Sequence, residues 1–285
     1  MPGVELVGVV DTHMGRATEI AAEYRTRPMM DVRELDGNVD AVTIAVPTET
    51  HLEIARRFLS AGIPALVEKP MARSLAEADE MIAVAAKAGA LLAVGHTERF
   101  NPAVAVAREQ LTDPRFIEVH RLGTFPKRSL DIDVVFDVMI HDLDVILSVV
   151  RSEVESIDAV GVAVLTKRFD IANVRIRFKN GCIANLTASR ISREQVRKIR
   201  FFQRDAYISI DYAAQKVEKF TISHPLGIPK IDGGDLPVTH EEPLARELAD
   251  FVDAVRSQRP PLVDGAQGRR ALALADQISS TMTTV

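Results

Sequence analysis

At 285 residues the chain can bury one large core or two ordinary ones, and 47% hydrophobic with 26% charged residues marks a globular protein. The net charge of −5 argues against nucleic acid and anionic membrane surfaces as partners, and no apolar run reaches the ~18 residues that cross a bilayer. The single cysteine, Cys182, cannot form an internal disulfide, and no basic-then-apolar leader is visible at the N-terminus, so the expectation is a cytoplasmic protein.

Residues 4–10, VELVGVV, read as a short buried strand closed by Asp11, with a helical pattern following through Ile20 and Tyr24. An acid at that point is how the second strand of a dinucleotide-binding unit ends, and such a unit carries its glycine-rich phosphate loop about 20 residues earlier. Only ten residues precede Asp11. The segment DTHMGRA is a poor substitute for that loop, with one glycine and an acid where phosphate charge would sit. The first strand and its loop are therefore expected to be missing ahead of Val4.

DAVTIAV (40–46) is apolar throughout, as in a parallel strand covered on both faces. The helix after it carries a stripe of Leu52, Ala55, Phe58 and Leu59 and stops at Gly62. PALVEKP gives another strand. Ser74 and Glu77 form a capping box for a helix that ends at Gly89, ALLAVGH follows as a strand, and Asn101-Pro102 opens one more helix. Strand–helix alternation with short connections predicts a parallel, doubly wound sheet over residues 1–112.

From residue 113 to 285 the period changes. FIEVHRLG, ESIDAVGVAV, IANVRIRF, CIANLTAS, VRKIRFFQ and AYISIDY read as consecutive strands, with Val174, Ile176 and Phe178 on one face and Arg175 and Arg177 on the other. This predicts a mostly antiparallel sheet with one packed face. Helices are expected at about 134–150, 242–256 and 265–280, and HPLGIPKIDGGDLP reads as a surface loop.

The helix at 134–150 is apolar on nearly every side, so its polar residues are informative. Asp137, His141, Asp144 and Ser148 share one narrow face. Two readings stand: a satisfied structural network or a capping role for Asp137 near the helix start, or a general base, His141, oriented by Asp137. A metal site is disfavoured because no second histidine lies near in sequence. Lys69 follows directly on an apolar strand, at the edge where open α/β sheets bind ligands; it is either a partner for a developing alkoxide or a solvated cation paired with Glu68. Pro47 and Thr48 have the same strand-end position, with Thr48 as a simple helix cap the competing reading. The basic stretch VRKIRFFQR is a solvated sheet face or a phosphate contact.

Taken together, VELVGVVD, VDAVTIAVPTETHLEIARRFLSAGIPALVEKP, VGHTERFNP and DVMIHDLDVIL resemble, in order and spacing, the Gfo/Idh/MocA family of oxidoreductases, over nearly the whole chain. The resemblance implies an N-terminally truncated Rossmann domain followed by that family's C-terminal domain. It implies that Lys69, Asp137 and His141 are catalytic, and that Asp11, Pro47, Thr48, His51, Glu68, Lys69 and Pro70 lie on the cofactor side. It implies NAD as cofactor, with NADP disfavoured because Asp11 repels a 2′-phosphate. RFNPAV, DIANVRIRF and DAYISIDY are similar to a bacterial branch linked to lipopolysaccharide sugars. That branch implies oxidation of a hydroxyl on a nucleotide sugar such as UDP-N-acetylglucosamine, with the basic residues at 190–204 and Lys127-Arg128 serving a diphosphate. An inositol or free-sugar dehydrogenase, or a non-catalytic sugar-binding or scaffold protein, are the alternatives. Relatives also imply a homo-oligomer, dimer or tetramer, built through the outer face of the antiparallel sheet.

Overall fold

The computed structural model describes residues 1–125, 132–225 and 228–284. They fall into two units, Met1–Gly95 with Ala249–Gly265, and His96–Leu248 with Ala266–Val285.

The first unit runs β1 (Gly8–Val10), α1 (Met14–Tyr24), β2 (Arg27–Met29), β3 (Val42–Ile44), α2 (His51–Ser60), β4 (Ala65–Glu68), α3 (Leu75–Ala88) and β5 (Leu92–Gly95). Each helix starts or stops where local chemistry requires. His13 caps α1, its Nδ1 accepting from the Arg16 N–H at 3.2 Å. Ser74 Oγ accepts from the Glu77 N–H, and Gly89 closes α3 at φ +65°, a conformation that costs glycine nothing. Ala55, Phe58 and Leu59 form the buried stripe of α2.

All strand pairs here are parallel, yet they form two sheets, β1-β2 and β3-β4-β5. In the doubly wound order 3-2-1-4-5-6, that division falls where the first strand stands. The strand expected over residues 4–10 is shortened to Gly8–Val10. Val4 and Leu6 are 43% and 50% exposed, because among the described residues β1 pairs only with Arg27–Met29. The β2 strand itself, interrupted by Pro28, carries no periodic signal in the sequence.

The second unit contains α4 (Pro102–Gln110), β6 (Phe116–Leu122), α5 (Ile140–Val149) and β7 to β13: Val154–Val162, Ile171–Phe178, Ile183–Ser189, Val196–Phe202, Ala206–Asp211, Lys216–Ser223 and Lys230–Leu236. With β14 (Thr283–Thr284) they make one sheet in the order β13-β12-β11-β10-β6-β9-β8-β7-β14. Only β6·β9 and β7·β14 are parallel. The inward residues Val174, Ile176 and Phe178 are fully buried, and α5 packs Ile140, Leu143 and Ile146 into the same core.

Two expectations are corrected. The unit boundary lies at Gly95/His96 rather than at 112, because Ala103, Val104 and Ala107 of α4 pack into the core with Ile117 and Val119. Residues 249–265 join the first unit, where the Val94 N–H donates to the Val263 carbonyl at 3.1 Å. The stretch read as a surface loop holds an edge strand, β13, paired with β12, which was also unpredicted. Gly233 suits that strand because a Cβ there would lie 2.1 Å from the Lys219 carbonyl oxygen, so the two backbones approach at a distance only glycine allows.

Candidate active site

In the first unit the candidate residues gather at the carboxyl ends of the parallel strands. Glu68 closes β4 and Lys69 follows it, both half-buried. Burial pushes the Glu68 carboxyl above its ordinary range; the Lys69 N–H, 3.3 Å from Oε2, and the Lys69 charge oppose that. Space for Glu68 comes from Gly95 on the neighbouring strand, where a Cβ would lie 3.1 Å from the Glu68 carboxyl carbon.

His51 is built into the framework of the strand ends. It is 1% exposed, with Nδ1 3.1 Å from the Pro70 carbonyl and Nε2 2.9 Å from the Val46 carbonyl. Both partners are acceptors, so the imidazole ties the end of β3 to the segment after β4 rather than facing outward. Pro70 is likewise buried and enters through its carbonyl. Pro47 is exposed, and Thr48 begins a short 3-10 turn, Thr48–Thr50, with no side-chain cap, so the capping reading of Thr48 is not realised. Thr50 Oγ1 donates to the Pro47 carbonyl instead, at 2.9 Å.

Asp11 belongs to the other sheet, directly after β1. One carboxylate oxygen accepts from the His13 N–H at 2.8 Å and the other from Arg16 at 3.1 Å. The side chain keeps 21% of its surface exposed and retains lone pairs for a ribose hydroxyl. This end of the unit therefore fits the ribose of NAD, and the edge carrying Lys69 fits its reactive end. The start of α1 does not fit the pyrophosphate, because His13 already occupies the N–H of Arg16.

In the second unit the predicted helix opens with a π-turn, Val135–Met139, in which the Ile140 N–H reaches back five residues to the Val135 carbonyl. Such turns are rare and recur at functional sites. Asp133 pins this start: its carboxylate accepts from the Phe169 N–H at 3.2 Å and from Ser279 Oγ at 3.0 Å. Asp137 lies within the π-turn and His141 in the first turn of α5, both half-buried.

The predicted four-residue stripe divides in two. Asp144 is 2% exposed and accepts from Arg99 at 3.1 Å, while Ser148 Oγ donates to the Val145 carbonyl at 2.6 Å. The structural reading holds for those two, leaving Asp137 and His141 as the candidate chemistry.

Next to His141, Asp142 takes both arms of a fork from Arg121, at 2.5 and 3.0 Å, and Arg121 also donates to Glu98 at 2.9 Å. Burial alone would lower the Arg121 guanidinium, but Asp142 more than reverses this and holds it above its ordinary value. The Arg121 guanidinium also lies 4.9 Å over the Tyr212 ring. Two buried arginines thus hold α5 on either side of Leu143. Neither pair was foreseen, since nothing in the local pattern joins Arg121 to Asp142 or Arg99 to Asp144.

Three of the six basic residues at 190–204 carry ion pairs. Arg190 is buried against Asp170 at 2.9 Å, Lys198 pairs with Asp211 and Arg200 with Glu118. Arg190 is buried in its pair and so faces no diphosphate, whereas the pairs of Lys198 and Arg200 are partly exposed. Lys127 and Arg128 lie outside the described residues.

A family model described as "Oxidoreductase family, NAD-binding Rossmann fold" matches residues 1–96, and one described as "GFO/IDH/MocA C-terminal domain" matches residues 105–208. The chain is 40% identical over 280 residues to a UDP-N-acetylglucosamine 3-dehydrogenase of Acidithiobacillus ferrooxidans, covering 96% of this chain and 88% of the relative. A solved structure of an enzyme of that name and organism superposes with a TM-score of 0.91 at 38% identity, covering 97% of this chain and 89% of the other. An inositol 2-dehydrogenase of Rhizobium meliloti is 27% identical over 301 residues, covering 95% and 87%.

Proposed function

The chain belongs to the Gfo/Idh/MocA family of NAD-binding oxidoreductases, and we propose that within it the substrate is a nucleotide sugar, UDP-N-acetylglucosamine or a close analogue, oxidised at one ring hydroxyl. The observation that carries the substrate is the 40% identity, over 96% of the chain, to a UDP-N-acetylglucosamine 3-dehydrogenase.

Bound NAD supplies the hydride acceptor. Asp11 would hold its adenosine ribose, and Pro47, Thr48, Glu68 and Lys69 would line its reactive end. His141 takes the proton of the sugar hydroxyl as general base. Asp137, placed on the π-turn just before it, orients the imidazole and stabilises its charged form. Lys69 stabilises the negative charge that develops on the oxygen. His51 acts one step back, holding the strand ends from which Pro47 and Lys69 project.

The same reading assigns the protein to the cytoplasm, to lipopolysaccharide-sugar synthesis and to a homo-oligomer, dimer or tetramer, associating through the outer sheet face. Sedimentation of the purified chain tests the last of these. NADH formation tests the substrate, measured for the chain and for a version with a strand and glycine-rich loop grafted ahead of Met1. Turnover of UDP-N-acetylglucosamine supports it. Turnover of inositols alone would favour the cyclitol reading, and silence of both versions across nucleotide sugars and cyclitols would overturn the proposal.

A further inference from the structure

Five arginines collect in one concavity. In the second unit a cleft of about 720 Å³ is lined by Arg99, Arg108, Arg151, Arg269 and Arg270. Its lining holds two carboxylates, Asp144 and Glu153, and both are engaged: Asp144 with Arg99 at 3.1 Å, Glu153 with Lys179 at 2.5 Å. Arg108, Arg151 and Arg270 are exposed, and among the described residues their guanidinium groups have no hydrogen bond or ion pair. The cleft is therefore strongly positive in a chain whose net charge is −5.

Like charges crowded into one concavity repel each other and raise the local potential, which an anion relieves. Arginine's planar fork matches phosphate oxygens two at a time, and several forks around one cleft suit an anion with more than one phosphoryl group. The volume is in the range that encloses a small molecule. Part of the lining is rigid: Arg99, 7% exposed, is fixed by Asp144 and by Gln267 at 2.8 Å.

We propose that this cleft binds a di- or polyphosphate anion, free or carried by a nucleotide. None of the residues assigned to the reaction lines it, and the inference needs neither the substrate nor the cofactor reading.

Calorimetric titration of the full chain with inorganic diphosphate, and separately with GDP, tests this. Saturable binding of one anion per chain is expected, weakened at least tenfold in the Arg151→Ser/Arg270→Ser double variant and unchanged in His141→Ala and Lys69→Ala. Arg108→Gln, one exposed side chain, is the second variant and should weaken binding severalfold with an unchanged thermal midpoint. GDP binding at least tenfold tighter than diphosphate identifies a nucleotide as the source; equal affinities identify the free anion. No saturable binding to the native chain, equal affinity in native and double variant, or loss of binding in Lys69→Ala overturns the proposal.

Discussion

Each unit places an aspartate next to an arginine at a candidate site, under very different conditions. In the first unit Asp11 meets Arg16 at 3.1 Å, but Arg16 is 67% exposed and the pair sits in water. In the second, Asp142 and Arg121 are 1% and 7% exposed and share a two-armed fork. An exposed pair contributes about 0–1 kcal/mol, whereas removing one partner of a buried pair costs about 3–5 kcal/mol. The first arrangement leaves a carboxylate available to a ligand at little cost. The second immobilises the helix from which His141 projects. The contrast separates a candidate binding edge, adaptable and half-exposed, from a rigid platform for the proposed chemistry.

The largest expected effect comes from breaking the platform. Arg121→Met should lower stability by about 3–5 kcal/mol in denaturant titrations, because Asp142 is left buried and unpaired. Arg16→Ala should change it by no more than about 1 kcal/mol. Comparable losses for the two variants would erase the contrast.

A pH titration sharpens it further. Asp170 is fully buried, which alone would raise its carboxyl, yet the N–H groups of Thr166, Leu165 and Val164 and the Thr166 hydroxyl hold it well below the usual carboxylate range. A carboxyl lowered in the folded state stabilises the fold above its unfolded value of about 3.9, and that stability is lost as pH falls from about 4 through the native value. Asp170→Asn should therefore be less stable than the native chain at neutral pH, the gap narrowing steadily under acid. A gap independent of pH would contradict the assignment. A smaller effect than the broken platform belongs to the candidate binding edge. Asp11→Ala should shift the NADP-to-NAD preference about tenfold toward NADP, roughly 1.4 kcal/mol, since Arg16 is released toward a 2′-phosphate. An unchanged preference, measured as the ratio of kcat/KM values, would remove Asp11 from the ribose site.

What the sequence made legible was local. Ser74, Gly89 and the Asn101-Pro102 start cap or bound helices as their residue types dictate, and the alternation around Val174 reports the packed face directly. Lys69 was legible as a strand-end residue because an apolar run stops just before it. The π-turn was not, since a helix apolar all round gives no phase against which an extra residue would register. The pairs Arg121–Asp142, Arg99–Asp144 and Arg190–Asp170 were invisible because their members are 21, 45 and 20 residues apart in sequence and meet only through the fold. β13 hid behind two glycines that an edge strand tolerates and a sequence pattern reads as loop. The two carbonyls that His51 reaches, Val46 and Pro70, were likewise not readable from its local pattern.

The most direct test pairs NADH formation from UDP-N-acetylglucosamine with the single substitution His141→Ala, both proteins carrying the grafted glycine-rich loop. The general-base role predicts a loss of at least about 100-fold in kcat with an unchanged denaturation midpoint. Turnover of His141→Ala at the native rate would contradict the proposed mechanism.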